Sequence, residues 1–277
     1  MRGEARGRIF ALLTALGVKR GFFAPYRHAA AVRAPDAYPA LAPVFAAARS
    51  RFEAGLDGIA RHLPALRALG AAPPPAPRWT QDWFPWLDAA FAYAFVRDNR
   101  PARIVEIGSG HSTRFMARAV ADGALATRID CIDPAPRASL AGLPVNWIRA
   151  RLEETDYPFD RLAAGDVVFV DSSHILMPGT DLDAIFSAVL PALPPGVFLH
   201  FHDVFLPDGY PVEWAWRGYN EQNALAALIA AKSHLPIWSS AWVARNMAPA
   251  ISERGIDALA RPAGAVVSSL WLQSAKG

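Results

Sequence analysis

The chain of 277 residues holds a single cysteine, no run of Lys or Arg, no internal repeat and no apolar stretch long enough to cross a bilayer. Each shortage excludes something. Cys131 alone cannot close an internal disulfide; set in an apolar run, it reads as a small core residue of a protein working in a reducing, cytoplasmic interior. The formal charge is only +3 and comes from scattered arginines, without zinc-finger or RNA-motif spacing, which removes the ordinary grounds for nucleic-acid binding. The stretch "IFALLTALGV", Ile9 to Val18, lies between "RGEARGR" and "KR" and imitates a signal peptide. Its length is about half a bilayer span, and no small-residue cleavage site follows it. It reads as an amphipathic helix docked on the domain or on a second copy in a homo-oligomer, or as a basic interfacial helix in peripheral contact with a membrane.

Apolar residues make up 53% of the chain and charged ones 19%, the balance of a globular protein with a sizeable core. Residues 1–78 are Ala/Arg-rich and helical in period, and include the long amphipathic candidate "APVFAAARSRFEAGLDGIARHLPALRALG". The stretch "AAPPPAP" ends this helical extension, because a proline cluster makes a stiff extended connection. In residues 79–277, apolar runs of strand length alternate with helical segments. "TQDWFPWLDAAFAYAFV" is expected as a helix capped by Thr80, with the aromatics of "WTQDWFPW" packing in the core. "ARIVEIGSG", "ATRIDCIDP", "VNWIRA", "GDVVFVDSSH" and "GVFLHFHDVF" are five strands, and "PIWSSAWVARN" and "AVVSSLWLQ" two late ones. Helices are expected over "STRFMARAVADG", "GTDLDAIFSAVLPAL" with Thr180 and Asp183 at capping-box spacing, and "NEQNALAALIAAK". Such alternation forces crossovers and hence a doubly wound, mainly parallel α/β sheet of seven strands. Ligands of such sheets gather beyond the carboxyl ends of the strands. The residues that end strands therefore carry the chemistry: Glu106 with its glycines, Asp133, Asp171, and His202 with Asp203.

The turn "VEIGSGHST" has two glycines and puts Ser112 or Thr113 where a dinucleotide fingerprint has a third. A pyrophosphate at the helix start is disfavoured by a carboxylate such as Glu106, whereas a ligand carrying an ammonium and a sulfonium is favoured. Gly108 and Gly110 allow close backbone approach, and Asp133, 24 residues beyond Ser109, is placed to accept from ribose hydroxyls. With these motifs the sequence resembles the class I S-adenosylmethionine-dependent methyltransferases, from Trp79 onward. "VEIGSGHST" is similar to their first motif and "CIDP" to their second, while "DSSH", "HFHDVFLP" and "NEQ" resemble those of one bacterial group. The resemblance implies a Rossmann-like fold in which Glu106, Gly108, Ser109 and Gly110 line the methionine portion and Asp133 binds the ribose.

Methyl transfer to an oxygen needs either a general base or a divalent metal to manage the acceptor's proton. Two assignments follow. Resemblance to catechol O-methyltransferase-like enzymes, which place a metal-binding carboxylate after the fourth strand and an Asp-Asn pair after the fifth, implies a metal, Mg, Mn, Fe or Zn, on Asp171, His202 and Asp203; the imidazole, a departure from that pattern, favours the last three ions over Mg. Alternatively His174 or His202 is the base, with Asp171 or Asp203 orienting the ring. His200, two residues deeper on the strand than His202, is expected as a hydrogen-bonded core histidine. The loop "DGYPVEWAWRGYNEQ" offers Tyr210, Trp214, Trp216, Asn220 and Glu221 for recognition of a small-molecule or saccharide acceptor, or for plain packing on the sheet. The competing expectations are a cofactor-binding module without turnover in a polysaccharide or secondary-metabolite assembly, a related fold with hydroxylation-type chemistry, and a nicotinamide enzyme.

Overall fold

A computed structural model describes residues 2–22 and 24–274. Helix α1 (Arg2–Ala15) is followed by an irregular segment and then by three short helices, α2 (Ala42–Ala47), α3 (Arg49–Arg61) and α4 (Leu63–Arg67). The single long helix expected over this region is thus interrupted. The reason is local: Pro64 lacks an N–H to donate, so the helix turns at His62 and restarts.

Helix α5 (Trp86–Asn99) precedes strand β1 (Arg103–Ile107), α6 (His111–Asp122), β2 (Arg128–Ile132), β3 (Asn146–Ile148) and β4 (Val167–Val170). The chain continues through α7 (Asp181–Ala184), a π-helical turn (Ile185–Val189), α8 (Leu190–Ala192), β5 (Phe198–Phe201), α9 (Glu221–Ala230), β6 (His234–Ser239), α10 (Ser240–Asn246), α11 (Ala248–Glu253) and β7 (Leu270–Ser274). The strands form one seven-stranded sheet in the order β3-β2-β1-β4-β5-β7-β6. Pairings from β3 to β5 are parallel, and β7 runs antiparallel to both β5 and β6. This is the doubly wound, Rossmann-like arrangement that the class I methyltransferase resemblance implies. Its strand order reverses between β1 and β4, so the crevice for a ligand opens where their carboxyl ends diverge.

Three local expectations are corrected. Thr80 does not cap a helix: the Gln81 side chain accepts from the N–H groups of Trp83 and Phe84, residues 80–85 form a loop, and extended Pro85 precedes the first helical residue, Trp86. The strand over 236–246 stops at Ser239, whose hydroxyl accepts from Trp242 N–H and so starts α10. The last strand is shorter than "AVVSSLWLQ", because the N–H groups of Ser268 and Ser269 go to the Asp88 carboxylate instead of a neighbouring strand.

Residues of the helical extension share the core of the sheet. Phe45, Phe52, Leu56, Ile59 and Leu66 are buried in the same cluster as Phe91, Phe169, Trp238 and Trp271. Proline-rich residues 71–77 therefore connect parts of one core. Upstream, residues 36–38 are strapped to the loop after β5: Tyr38 N–H donates to the Pro207 carbonyl at 2.7 Å, and Gly209 N–H to that of Asp36 at 2.8 Å. Where α3 crosses the sheet, Gly55 leaves room for the stacked rings of Phe91 and Trp238, 4.3 Å apart; a Cβ there would lie 2.7 Å from Trp238. Gly55→Ala should therefore destabilise the fold by about 1–2 kcal/mol, because overpacking outweighs the roughly 1 kcal/mol gained in helix propensity. A melting temperature at or above the parent's would contradict this packing.

Candidate active site

Buried strands deliver their chemistry at their ends. Residues Val167–Val170 and Phe198–Phe201 are apolar but for His200, and they run side by side in parallel register, so the next residues, Asp171 and His202, emerge together at the carboxyl edge. His200 remains inside, as expected: its ring stacks on Phe169 at 3.6 Å and meets Ser269 Oγ at 3.0 Å. Burial and the neighbouring His202 push its pKa well down, so the ring is neutral.

Beyond the strands lies a cluster of buried acids and imidazoles. His174 Nδ1 meets Glu221 Oε1 at 2.6 Å, while its Nε2 faces Asp171 at 3.4 Å and Asp203 at 3.6 Å. His202 Nδ1 faces Asp203 at 3.3 Å and Asp171 at 3.6 Å, and its Nε2 faces Asp88 at 3.3 Å. Burial opposes charge on both rings, but the carboxylates around them outweigh it and raise both pKa values well above the ordinary histidine range. Burial likewise opposes the Asp171 charge, and the two imidazoles hold that carboxyl well below the usual range. The Glu221 carboxyl goes the other way: burial raises it more than His174 lowers it, and its Oε2 is buried without a hydrogen-bond partner.

Two members of this cluster were not expected in it: Asp88 was given no role from the sequence, and Glu221 was expected in acceptor recognition or loop packing. Asp88 left a signal, being the only acid in the apolar run "WLDAAFAYAFV" of α5. It is fully buried and accepts from the N–H groups of Ser268 and Ser269 as well as facing His202. Glu221 belongs to "NEQ", whose three side chains tie two loops together. Asn220 bonds the Leu176 backbone through both its amide atoms, Glu221 holds His174, and Gln222 accepts from Phe205 N–H and donates to the Asp208 carbonyl. His174 and Asp203 both occupy the left-handed region, at φ 61 and 57, which side chains rarely adopt without a surrounding network to impose it. Over the cluster lies an aromatic rim. Tyr219 sits 4.4 Å from the His174 ring, and Arg217 lies 3.8 Å above Trp214 with a guanidinium nitrogen 3.6 Å from Asp203.

A cleft of about 530 Å³ adjoins the cluster, and Asp171 belongs to both. Gly108 and Ser109 floor it, Ile132, Asp133 and Ala135 form one wall, and Ser172, Ser173 and Thr180 another. Gly108, at φ +78, is indispensable here, since a Cβ would lie 1.9 Å from the Asp171 carbonyl oxygen. Asp133 accepts from Ser109 N–H at 2.6 Å and Ala135 N–H at 2.7 Å, which fixes its carboxylate at the end of β2. Ser172 Oγ is buried without a partner.

Glu106 and Gly110 are placed differently from Gly108, Ser109 and Asp133: neither lines the cleft. The Glu106 side chain turns toward the start of α6, where Ser112 and Thr113 hydroxyls each donate to it at 2.5 Å. Its carboxyl is fully buried and pushed up to about 8, burial outweighing those two hydrogen bonds. His174, His202 and Asp203 lie behind Asp171, outside the cleft proper. As they stand, the cluster's donors face one another, and among the described residues no three His, Cys, Asp or Glu side chains are set to hold a metal ion.

Residues 105–204 match a family model described as a methyltransferase domain. That segment runs from β1 through the loop after β5 and so contains the glycine turn, Asp133, Asp171, His174, His202 and Asp203. No curated protein matches. Among solved structures, SAH-bound Podospora anserina methyltransferase PaMTH1 is 18% identical, with 92% of this chain and 100% of that one covered at a TM-score of 0.42. The apo-structure of CmcI-N160 is 12% identical, covering 69% and 71%, at a TM-score of 0.42. MycE from the mycinamycin biosynthetic pathway, in complex with Mg, SAH and mycinamycin VI, is 19% identical over 65% of this chain and 47% of its own, at 0.37. The fold assignment rests on the strand order rather than on these likenesses.

The Glu106 carboxyl gives a pH test. A proton held in the folded state up to about pH 8, but lost from the unfolded chain above its ordinary value of 4.5, stabilises the fold fully below pH 4.5 and is lost as pH rises through 8. Thermal stability should therefore fall across that window, by up to about 1.4 kcal/mol per pH unit. Glu106→Gln, which stays neutral, should flatten the slope; an equal slope in parent and variant would assign the pH dependence elsewhere.

Proposed function

We propose that the chain transfers a methyl group from S-adenosylmethionine to an oxygen of a small molecule or saccharide, working in the reducing cell interior that a free, buried Cys131 suits. One observation carries the reading: the segment that matches a methyltransferase domain supplies the cleft floor, the Asp133 wall and, of the adjoining cluster, Asp171, His174, His202 and Asp203. The side of the cleft at the strand ends suits a cationic centre. Asp133, Asp171 and Asp181 line it there, Lys19, Arg137 and Arg151 with its ion-pair partner Glu153 complete the lining, Ser172 has an unused hydroxyl, and the turn lacks a third glycine for a pyrophosphate. In this reading Gly108 and Ser109 receive the methionine portion and Asp133 the ribose, while Glu106 and Gly110 brace the turn from behind. Bound there, the cofactor supplies an electrophilic methyl on a positively charged sulfur.

The chain's own task is to position the acceptor and take its proton. A hydroxyl attacks weakly while it keeps that proton, and an imidazole at the strand ends is suited to accept it as the new C–O bond forms and the C–S bond breaks. His174 is the better candidate of the two, because Glu221 fixes its ring through Nδ1 and leaves Nε2 toward the cleft side, facing Asp171. Its ring must be neutral to accept, and a sulfonium nearby opposes the proton that the carboxylates favour. The aromatic rim of Trp214, Tyr219 and Tyr210 suits stacking on a sugar or ring of the acceptor.

A second reading puts a divalent ion on Asp171, His202 and Asp203; His202 Nδ1 does lie between the two carboxylates, at 3.6 and 3.3 Å, but the three side chains would have to rearrange to hold an ion. An ion would have to win His202 Nδ1 from the carboxylates it faces. Metal analysis of protein purified without chelator decides: a stoichiometric ion supports this reading, while no ion and unchanged activity after chelation remove it.

Calorimetry should show S-adenosylhomocysteine binding far more tightly than NAD; the reverse order would overturn the cofactor assignment. With labelled S-adenosylmethionine and an extract-derived acceptor, His174→Ala should lower kcat about 10²–10⁴-fold and Glu221→Gln about a hundredfold, with cofactor affinity little changed. Parent-like turnover in both variants would remove the base assignment. Cofactor binding without transfer to any acceptor would favour a binding module.

A further inference from the structure

Charge is unevenly distributed along the chain. Residues 1–33 carry seven Lys or Arg against the single acid Glu4, so the other 244 residues, with 21 basic against 24 acidic, are net negative. The same segment exposes its apolar side chains. Helix α1 turns Gly7, Phe10, Leu13 and Thr14 inward, and Gly7 packs against Trp216 of the aromatic loop. On its outer side Ile9, Leu12 and Leu16, spaced three and four residues apart, are 56, 60 and 71% exposed. Val18 and Phe22 beyond it are each 49% exposed, with the Lys19 ammonium over the Phe22 ring at 5.2 Å. An apolar row of this kind, flanked by Arg6, Arg8, Lys19 and Arg20, has no partner covering it among the described residues.

We propose that this outer face of residues 6–22 lies along an anionic lipid surface, with Ile9, Leu12, Leu16, Val18 and Phe22 among the acyl chains and the basic side chains at the headgroups. Charge decides between the two natural occupants. A symmetric dimer would set the same patch against itself, bringing together two segments of like charge, whereas a negative membrane relieves that charge and buries the apolar row together. A nucleic acid would satisfy the arginines but leave the apolar row in water. The helix lies along the surface rather than crossing it, since no described helix is long and apolar enough to span a membrane. Lys19 and Phe22 also line the cleft, so seating the segment on lipid brings the cleft mouth to the headgroups. An acceptor carried by the membrane would then have a short path to the site.

Co-sedimentation of the full chain with phosphatidylcholine vesicles, with and without one third phosphatidylglycerol, tests this. The protein should sediment with the anionic vesicles only, and less so at high salt. Leu12→Glu with Leu16→Glu, both at exposed positions, should abolish sedimentation without changing the melting temperature, and Arg6→Glu with Arg8→Glu should weaken it about tenfold. Absence of binding to anionic vesicles, or equal binding by the leucine variant, overturns the proposal. So does a parent dimer in analytical ultracentrifugation that the leucine variant converts to monomer, because a second copy would then own the face.

Discussion

Six ionisable side chains, Asp88, Asp171, His174, His202, Asp203 and Glu221, form a chain of ion pairs and hydrogen bonds of 2.6–3.6 Å at the carboxyl ends of β4 and β5, all buried but Asp171, which keeps 30% of its side chain exposed toward the cleft. Charges so placed must be paired, because each unpaired one costs several kcal/mol. The surrounding fold can be read as the means of pairing them. Helix α5 brings Asp88 under His202, α9 brings Glu221 to His174, and the segment before β7 gives two backbone N–H groups to Asp88 and a hydroxyl to Asp203. Elements far apart in sequence are thereby fixed relative to the two central strands, and the cleft inherits its wall from the same Asp171.

The helical extension is bound to this arrangement by packing and by backbone. Helix α3 buries Phe52, Leu56 and Ile59 against the β6 side of the sheet, while residues 36–38 pair with the loop after β5. Tyr38 reaches further and donates to Asn223 of α9, the helix that carries Glu221. Through these contacts a shift of the extension would be felt at the His174 pair. The extension, the aromatic loop and α9 thus form one cover over the cluster, with Lys19 and Phe22 at its edge on the cleft.

Much of this was legible in the sequence, because the alternation of short apolar runs with helical periods dictates a parallel sheet, and its strand ends can be read off directly. Asp133, Asp171, His202 and Asp203 were located by that rule alone. What the pattern did not resolve was direction and partnership. Glu106 belongs to the right turn, yet strand alternation sends its side chain away from the cleft that Ile107 and Gly108 face, toward hydroxyls six and seven residues on. Glu221 stood in the open as part of a loop, but only tertiary contact turns it toward His174 across 47 residues. Helix boundaries at 86 and 240 were decided by side chains, Gln81 and Ser239, that satisfy backbone donors locally, a competition that hydrophobic period does not register.

Stability alone does not account for such a cluster. Well-packed apolar residues at the same places would hold the sheet at least as firmly, since the desolvation of a buried ion pair commonly cancels its attraction. To this is added the left-handed backbone at His174 and at Asp203, each costing about 1–3 kcal/mol in a residue with a side chain. The two strained residues flank Asp171, the one carboxylate that the cluster shares with the cleft. A chain that accepts both costs at the mouth of a 530 Å³ opening, while keeping β1, β2 and the remainder of β4 apolar or internally satisfied, has placed its electrostatic stress where a ligand can meet it. The unpartnered Glu221 Oε2 and Ser172 Oγ mark the same place, one behind the His174 ring and one on the cleft wall. Buried polar atoms without a partner are uncommon in folded proteins, and with His200 Nδ1 and Arg217 Nε nearby they concentrate around this cluster, where the fold itself leaves them unsatisfied.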